Sequence, residues 1–192
     1  MHLSMNECSL DQMLNQFNCE ETFEEEKYIN ANYIKGLHPS NSTFIATQAP
    51  IENSLPEFFA MIWQSNCSTI ISLTSLVENQ KVKMIPFWPE NPKKKLIIDD
   101  FVISIEEEIS HQDNLITRIF LINKMGDSGD CRTVKQIHYT GWPDNDVPSH
   151  PSPLYQIYNL QTLFENDSPL KGPAIVHCSA GIGRTASYVG FV

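Results

Sequence analysis

Near the end of this 192-residue chain, His177-Cys178-Ser179-Ala180-Gly181-Ile182-Gly183-Arg184-Thr185 gathers residue types that together can handle a phosphoryl group. A tight loop holding Gly181 and Gly183 can turn successive backbone N–H groups inward, making an anion nest at a helix N-terminus. Cys178 opens the loop and Arg184 closes it, and a planar guanidinium can pair with two oxygens of one bound phosphoryl group. The same amides favour a thiolate. A free Cys is only about 3% ionised at neutral pH, and this setting raises its acidity roughly a hundredfold or more. Cys178 then reads as a nucleophile, with Thr185 placed to donate its hydroxyl to the sulfur when the thiolate leaves. His177 can fix the loop through its ring hydrogen bonds. The bland alternative is an inert buried Cys at a strand end with an Arg on a surface helix. Only three Arg occur in the chain, Arg118, Arg132 and Arg184, so a basic composition does not account for one here.

Such a loop needs a strand before it and a helix after it. Lys171-Gly172-Pro173 breaks the chain, and Ala174-Ile175-Val176 predicts a short buried strand. Upstream, Tyr28–Ile34 and Thr43–Thr47 read as extended. Ser54-Leu55-Pro56-Glu57 matches a capping box, opening a helix with Phe58, Met61, Ile62 and Trp63 on its apolar side. Thr69–Leu73 predicts a buried strand. Lys81–Phe87, Leu96–Ile105, Leu115–Ile122 and Thr133–Tyr139 are rich in β-branched residues and predict antiparallel ribbons, with a turn at Gly126–Gly129. A helical pattern follows at Leu154, Ile157, Tyr158 and Leu160. The fold class expected is α/β, a central twisted mixed sheet flanked by helices.

Length and composition suit one domain, with no repeat or linker. Residues 1–27 form a polar lead-in ending in the acidic run Glu20–Glu26, and 28–192 the domain proper. With 13 basic and 23 acidic residues the net charge is −10, which argues against nucleic acid or anionic membrane as general partners. An anionic substrate would need a local positive field. No apolar run approaches a membrane span. Five scattered Cys read as free thiols in a reducing compartment, consistent with a cytoplasmic location.

The nine-residue loop resembles the phosphate-loop motif of the cysteine-dependent protein tyrosine phosphatases. The likeness extends through Tyr28–Ile34 (YINANYI), Phe44–Pro50 (FIATQAP), Phe58–Trp63 (FFAMIW), Phe87-Trp88-Pro89 and Gly141-Trp142-Pro143-Asp144, in the family's order. It implies a protein tyrosine phosphatase-like fold and two-step hydrolysis of phosphotyrosyl proteins through a cysteinyl-phosphate intermediate, without metal or other cofactor. It assigns Cys178 as nucleophile, Ser179, Ala180, Gly181, Ile182, Gly183 and Arg184 as phosphate-binding, and Asp144 as general acid on a mobile loop anchored by Trp142. Glu78 and Lys83 match positions that pair with Arg184 and Asp144 respectively. The implied location is the cytoplasm, or the cytoplasmic part of a longer receptor-type protein.

Several positions depart from the family pattern. No Tyr precedes Tyr28, although the resemblance calls for one that packs on phosphotyrosine; counting back reaches Cys8. Asn145-Asp146 follow the Trp-Pro-Asp triplet, so loop closure is expected to differ and the Asp146 carboxylate to repel phosphate. Ala186 stands where Gly is usual. Only Ala186–Val192 follow Thr185, so the chain reads as C-terminally truncated, with the last helices and a glutamine loop missing. Exposed apolar sheet surface and impaired release of phosphate from Cys178 are expected. Two alternatives stay open: a pseudophosphatase that binds phosphotyrosine proteins, and a phosphatase that also accepts phosphoserine and phosphothreonine.

Overall fold

The computed structural model describes residues 28–35, 43–126, 130–143, 146–148 and 150–192. The lead-in 1–27, Asp144 and Asn145, and part of the expected turn at 126–129 lie outside the described residues. In chain order the elements are β1 (Ala31–Lys35), β2 (Thr43–Thr47), a 3-10 turn (Glu52–Ser54), α1 (Leu55–Gln64), β3 (Thr69–Ser72), β4 (Val77–Glu78), β5 (Lys81–Val82), β6 (Leu96–Ile98) and β7 (Phe101–Ser110). They continue with β8 (Leu115–Lys124), β9 (Cys131–Tyr139), α2 (Ser152–Asp167), β10 (Ala174–His177) and α3 (Gly183–Phe191).

Eight strands form one mixed sheet in the order β1-β2-β10-β3-β9-β8-β7-β6, and β4 and β5 pair separately. β2, β10, β3 and β9 run parallel, while β1 and the β9-to-β6 ribbon are antiparallel. The central strands are short and apolar because both their faces are covered. Ile45, Ile70 and Ile175 pack with Phe58, Phe59, Met61, Ile62 and Trp63 of α1. Their neighbours Phe44, Ile71, Ala174 and Val176 point to the opposite face and pack with Ile157 of α2 and Tyr188 of α3.

Contacts at the end of α1 fix the layer spacing. Arg132 donates to the Trp63 carbonyl and lies 3.8 Å over the Trp63 ring. A Cβ on Gly172 would fall 1.9 Å from the Ser65 carbonyl oxygen, so the chain enters β10 by pressing bare backbone onto the helix terminus.

The structure corrects four expectations. Ser54 precedes α1 but makes no side-chain cap. Its Oγ instead accepts from the Ile51 amide (3.1 Å), because the 3-10 turn before the helix uses it first. Leu96–Ile105 is antiparallel ribbon as expected, the β6–β7 hairpin, which turns where Asp99 takes a φ of 46°. Of Lys81–Phe87 only Lys81–Val82 is strand. Finally, the central strands do not expose apolar surface, since α2 and α3 cover Ile71, Ile137, Ala174 and Val176 to 2% exposure or less. What is exposed is the outer side of those helices, at Tyr155, Tyr158, Leu163 and Phe191. Tyr158 therefore does not belong to the buried side of α2.

Candidate active site

β10 sits between β2 and β3, parallel to both, so its C-terminal end opens where ligands bind in open α/β sheets. Cys178 follows β10 directly, and residues 179–182 form the loop that enters α3 at Gly183. Gly181 takes a φ of +78°, and a Cβ there would lie 2.5 Å from the Thr47 carbonyl oxygen, so only glycine lets the loop nest on the end of β2. The Ala49 amide donates to the Ser179 carbonyl (2.9 Å), and the Ser179 hydroxyl donates to the Lys83 carbonyl (3.0 Å). The loop is thus tied to the segments after β2 and after β5. Ala180, Ile182 and Gly183 are exposed at the opening.

Cys178 is 4% exposed. Burial alone pushes its thiol up. The Thr185 hydroxyl and amide, the Gly181 amide and the Arg184 charge together outweigh that penalty, and the net result lies below the ordinary 9.0. The Thr185 hydroxyl is buried with no other partner among the described residues, which leaves it to the sulfur.

Arg184 is 7% exposed and held on several sides. Its Nη1 and Nη2 donate to the two carboxylate oxygens of Glu78 at 2.7 and 2.8 Å. Nη1 also reaches the carbonyls of Leu73 (3.1 Å) and Trp142 (3.0 Å). Glu78 accepts in addition from the Thr74 hydroxyl (2.9 Å) and the Ser75 amide (3.3 Å). Partial burial pushes its carboxyl up, but Arg184, Thr74 and Ser75 bring it below its ordinary 4.5.

The remaining residues singled out in the sequence distribute as follows. His177 is fully buried behind the loop; its Nδ1 meets the Cys178 carbonyl at 3.1 Å and its Nε2 the Ser72 hydroxyl at 2.7 Å. Burial drives its pKa to about 4, so it is neutral near pH 7. Trp142 is buried, its carbonyl takes the Arg184 bond, and its indole donates to the Asp146 carbonyl (2.9 Å). Asp146 is exposed, and its carboxylate accepts from the Val147 amide at 2.8 Å, so it is engaged in shaping its own turn. Lys83 lies beside the loop through its backbone. Thr74, Ser75, Leu73 and Ala49 escaped the sequence reading, because their contributions are a lone hydroxyl or main-chain groups that carry no residue-type signal.

The arrangement can hold a tetrahedral oxyanion between loop amides and a braced guanidinium, with an acidified thiol beneath it. Residues 10–192 match the family model for protein-tyrosine phosphatase, and the chain belongs to that family. It is 34% identical over 85% of its length to receptor-type tyrosine-protein phosphatase eta of Gallus gallus, covering 11% of that protein. It is 35% identical over 86% of its length to tyrosine-protein phosphatase non-receptor type 7 of Mus musculus, covering 44% of it. A solved structure of PTPN18 studied with HER2 tyrosine phosphorylation sites superposes with a TM-score of 0.77 at 27% identity, over 85% of this chain and 56% of that one. The chain thus spans less than half the length of these two curated relatives. Among the described residues no helix is long and apolar enough to cross a membrane.

Proposed function

We propose that the protein hydrolyses phosphotyrosyl proteins through a phosphocysteine at Cys178. The observation that carries this reading is the acidified Cys178 beside Arg184, whose guanidinium Glu78 grips with both oxygens. In the first step the thiolate attacks phosphorus in line, forming the S–P bond as the P–O bond to tyrosine breaks. The amides of Ser179 to Gly183 and Arg184 take up the charge on the equatorial oxygens. Asp144 gives its proton to the departing tyrosyl oxygen. In the second step water attacks the phosphocysteine, its proton passes to Asp144, and the sulfur leaves as thiolate stabilised by the Thr185 hydroxyl.

The role of Asp144 rests on the family resemblance. It is supported by its neighbour Trp142, whose carbonyl is tied to Arg184 and whose ring is tied into the same loop. Lys83 is assigned to Asp144 on the same resemblance, and its carbonyl is fastened to the phosphate loop. Phosphotyrosine proteins as partners are supported by PTPN18, which has been solved with such peptides. A site that works as a thiolate belongs in a reducing compartment, the cytoplasm or the cytoplasmic part of a receptor-type protein.

The test is turnover of a phosphotyrosyl peptide by the parent and by Cys178→Ser and Asp144→Ala. Turnover by the parent alone, with phosphopeptide binding retained by Asp144→Ala, is expected. A parent as inactive as Cys178→Ser, while both bind phosphopeptide, would make the protein a phosphotyrosine-binding module instead.

A further inference from the structure

Polar side chains interrupt the apolar pattern of β8, β9, β3 and, at His177, β10 on the face that carries α1. Arg118 (β8) is 6% exposed, His138 (β9) 3%, and Gln136 (β9) and Ser72 (β3) are fully buried. They are cross-strand neighbours. Glu108 pairs with Arg118 in register, Arg118 with Gln136, His138 with Ser72, and Ser72 with His177. A bulge between Ile105 and Glu107 shifts β7 by one residue and sets Glu108, rather than its neighbour, opposite Arg118.

Arg118 carries a full charge into this layer, a placement that is costly unless the charge is fully hydrogen-bonded. Its Nε donates to Glu108, and its guanidinium lies 4.2 Å over the Trp88 ring. Nη1 donates to Gln136 Oε1 (2.9 Å) and meets His138 Nδ1 (3.1 Å). Because guanidinium has no acceptor, Gln136 Oε1 and His138 Nδ1 must both accept from it. Gln136 must present its amide to Ser72 Oγ (2.9 Å). The Cys178 carbonyl can only accept, so His177 carries its ring proton on Nδ1 (3.1 Å) and its Nε2 accepts from the Ser72 hydroxyl (2.7 Å). On the other branch His138 accepts at Nδ1 and so donates from Nε2 to the Thr74 carbonyl (2.8 Å). Thr74 in turn donates to Glu78, which braces Arg184.

We propose that Arg118 is a positioning residue for the active site, acting through Gln136–Ser72–His177 on the Cys178 main chain and through His138–Thr74 on the Glu78–Arg184 pair. The two histidines are neutral and hold opposite tautomers, Nδ1–H in His177 against the Cys178 carbonyl and Nε2–H in His138, which accepts from Arg118 and donates to the Thr74 carbonyl. The proposal rests on the reading of Cys178 as the nucleophile, and the histidine measurement is independent of turnover.

The first readout is nitrogen-15 NMR of the histidine-labelled unmodified protein at pH 7. The two tautomers named are expected; the opposite tautomer at either ring overturns the proposal. The second is the rate of Cys178 alkylation by iodoacetamide at pH 6.5 in Ser72→Ala, Gln136→Met and the double variant. Each single change removes two buried hydrogen bonds of the same line and is expected to slow alkylation about fivefold, with the double variant no slower than the worse single one. Multiplicative losses, or unchanged alkylation in variants of lowered Tm, would show a merely structural network. A protein with both tautomers in place and the shared alkylation loss, yet no phosphatase turnover, would sink the functional reading and leave the relay standing.

Discussion

Glu78 receives Arg184 end-on, Oε1 from Nη1 at 2.7 Å and Oε2 from Nη2 at 2.8 Å, so the guanidinium plane is set before any anion arrives. The carboxylate comes from the small β4–β5 ribbon and the Arg from the first turn of α3, 106 residues later. That pairing makes a preorganised clamp out of a long, otherwise flexible side chain.

Removing the brace is expected to loosen the clamp. Glu78→Ala deletes two charge-assisted hydrogen bonds to a buried guanidinium, and the affinity for tungstate is expected to fall about 10- to 100-fold. Isothermal titration calorimetry with the parent and the variant reads this directly; equal affinities would show that Arg184 needs no orientation.

The Thr185 hydroxyl contributes to the acidity of Cys178. Thr185→Ala is expected to raise the thiol pKa and slow iodoacetamide alkylation at pH 6.5 about tenfold, the effect of one hydrogen bond to a charged group. A pH profile of the alkylation rate checks the sign, since the midpoint of the variant should lie above that of the parent.

Acid sensitivity should begin earlier than carboxylate titration alone would cause. His138 and His177 have pKa values near 4 in the fold against an ordinary 6.5, chiefly through burial. Between those values the unfolded chain binds more protons than the folded one, so stability is full above pH 6.5 and falls as pH drops toward 4. Each histidine contributes up to about 3 kcal/mol of this loss. The Glu78 pairing, with its lowered pKa, is lost only below 4.5. Urea unfolding at pH 7 and pH 5 should show a clear drop, and a flat profile across that range would contradict neutral burial of both rings.

Gly181 has no substitute. Gly181→Ala puts a Cβ against the Thr47 carbonyl at a positive φ, which costs about 1–3 kcal/mol of local strain. Loss of tungstate binding together with a lowered Tm is expected, measured on the same sample.

The sequence made the loop, its strand and its helix legible because Cys178, Gly181, Gly183 and Arg184 carry their chemistry in their residue types. Glu78 was visible only by its place in the family pattern, since nothing in Val77–Lys83 points at a partner 106 residues away. The line of Arg118, Gln136, Ser72 and His177 was not visible at all. Arg118 and Gln136 sit in β-rich runs where a polar residue reads as the solvent side of an alternating strand, His177 reads only as a brace for its own loop, and only the cross-strand register brings them together with Ser72. The capping box at Ser54 misled for a related reason: the preceding 3-10 turn competes for the same hydroxyl.

The most direct measurement is a rapid acid quench of the parent with a phosphotyrosyl peptide, followed by mass spectrometry of the peptide that contains Cys178. A phosphate adduct on Cys178, absent from Cys178→Ser, is the expected result. Turnover with no adduct at Cys178, or with the adduct on another residue, would contradict the acidified thiol as the attacking group.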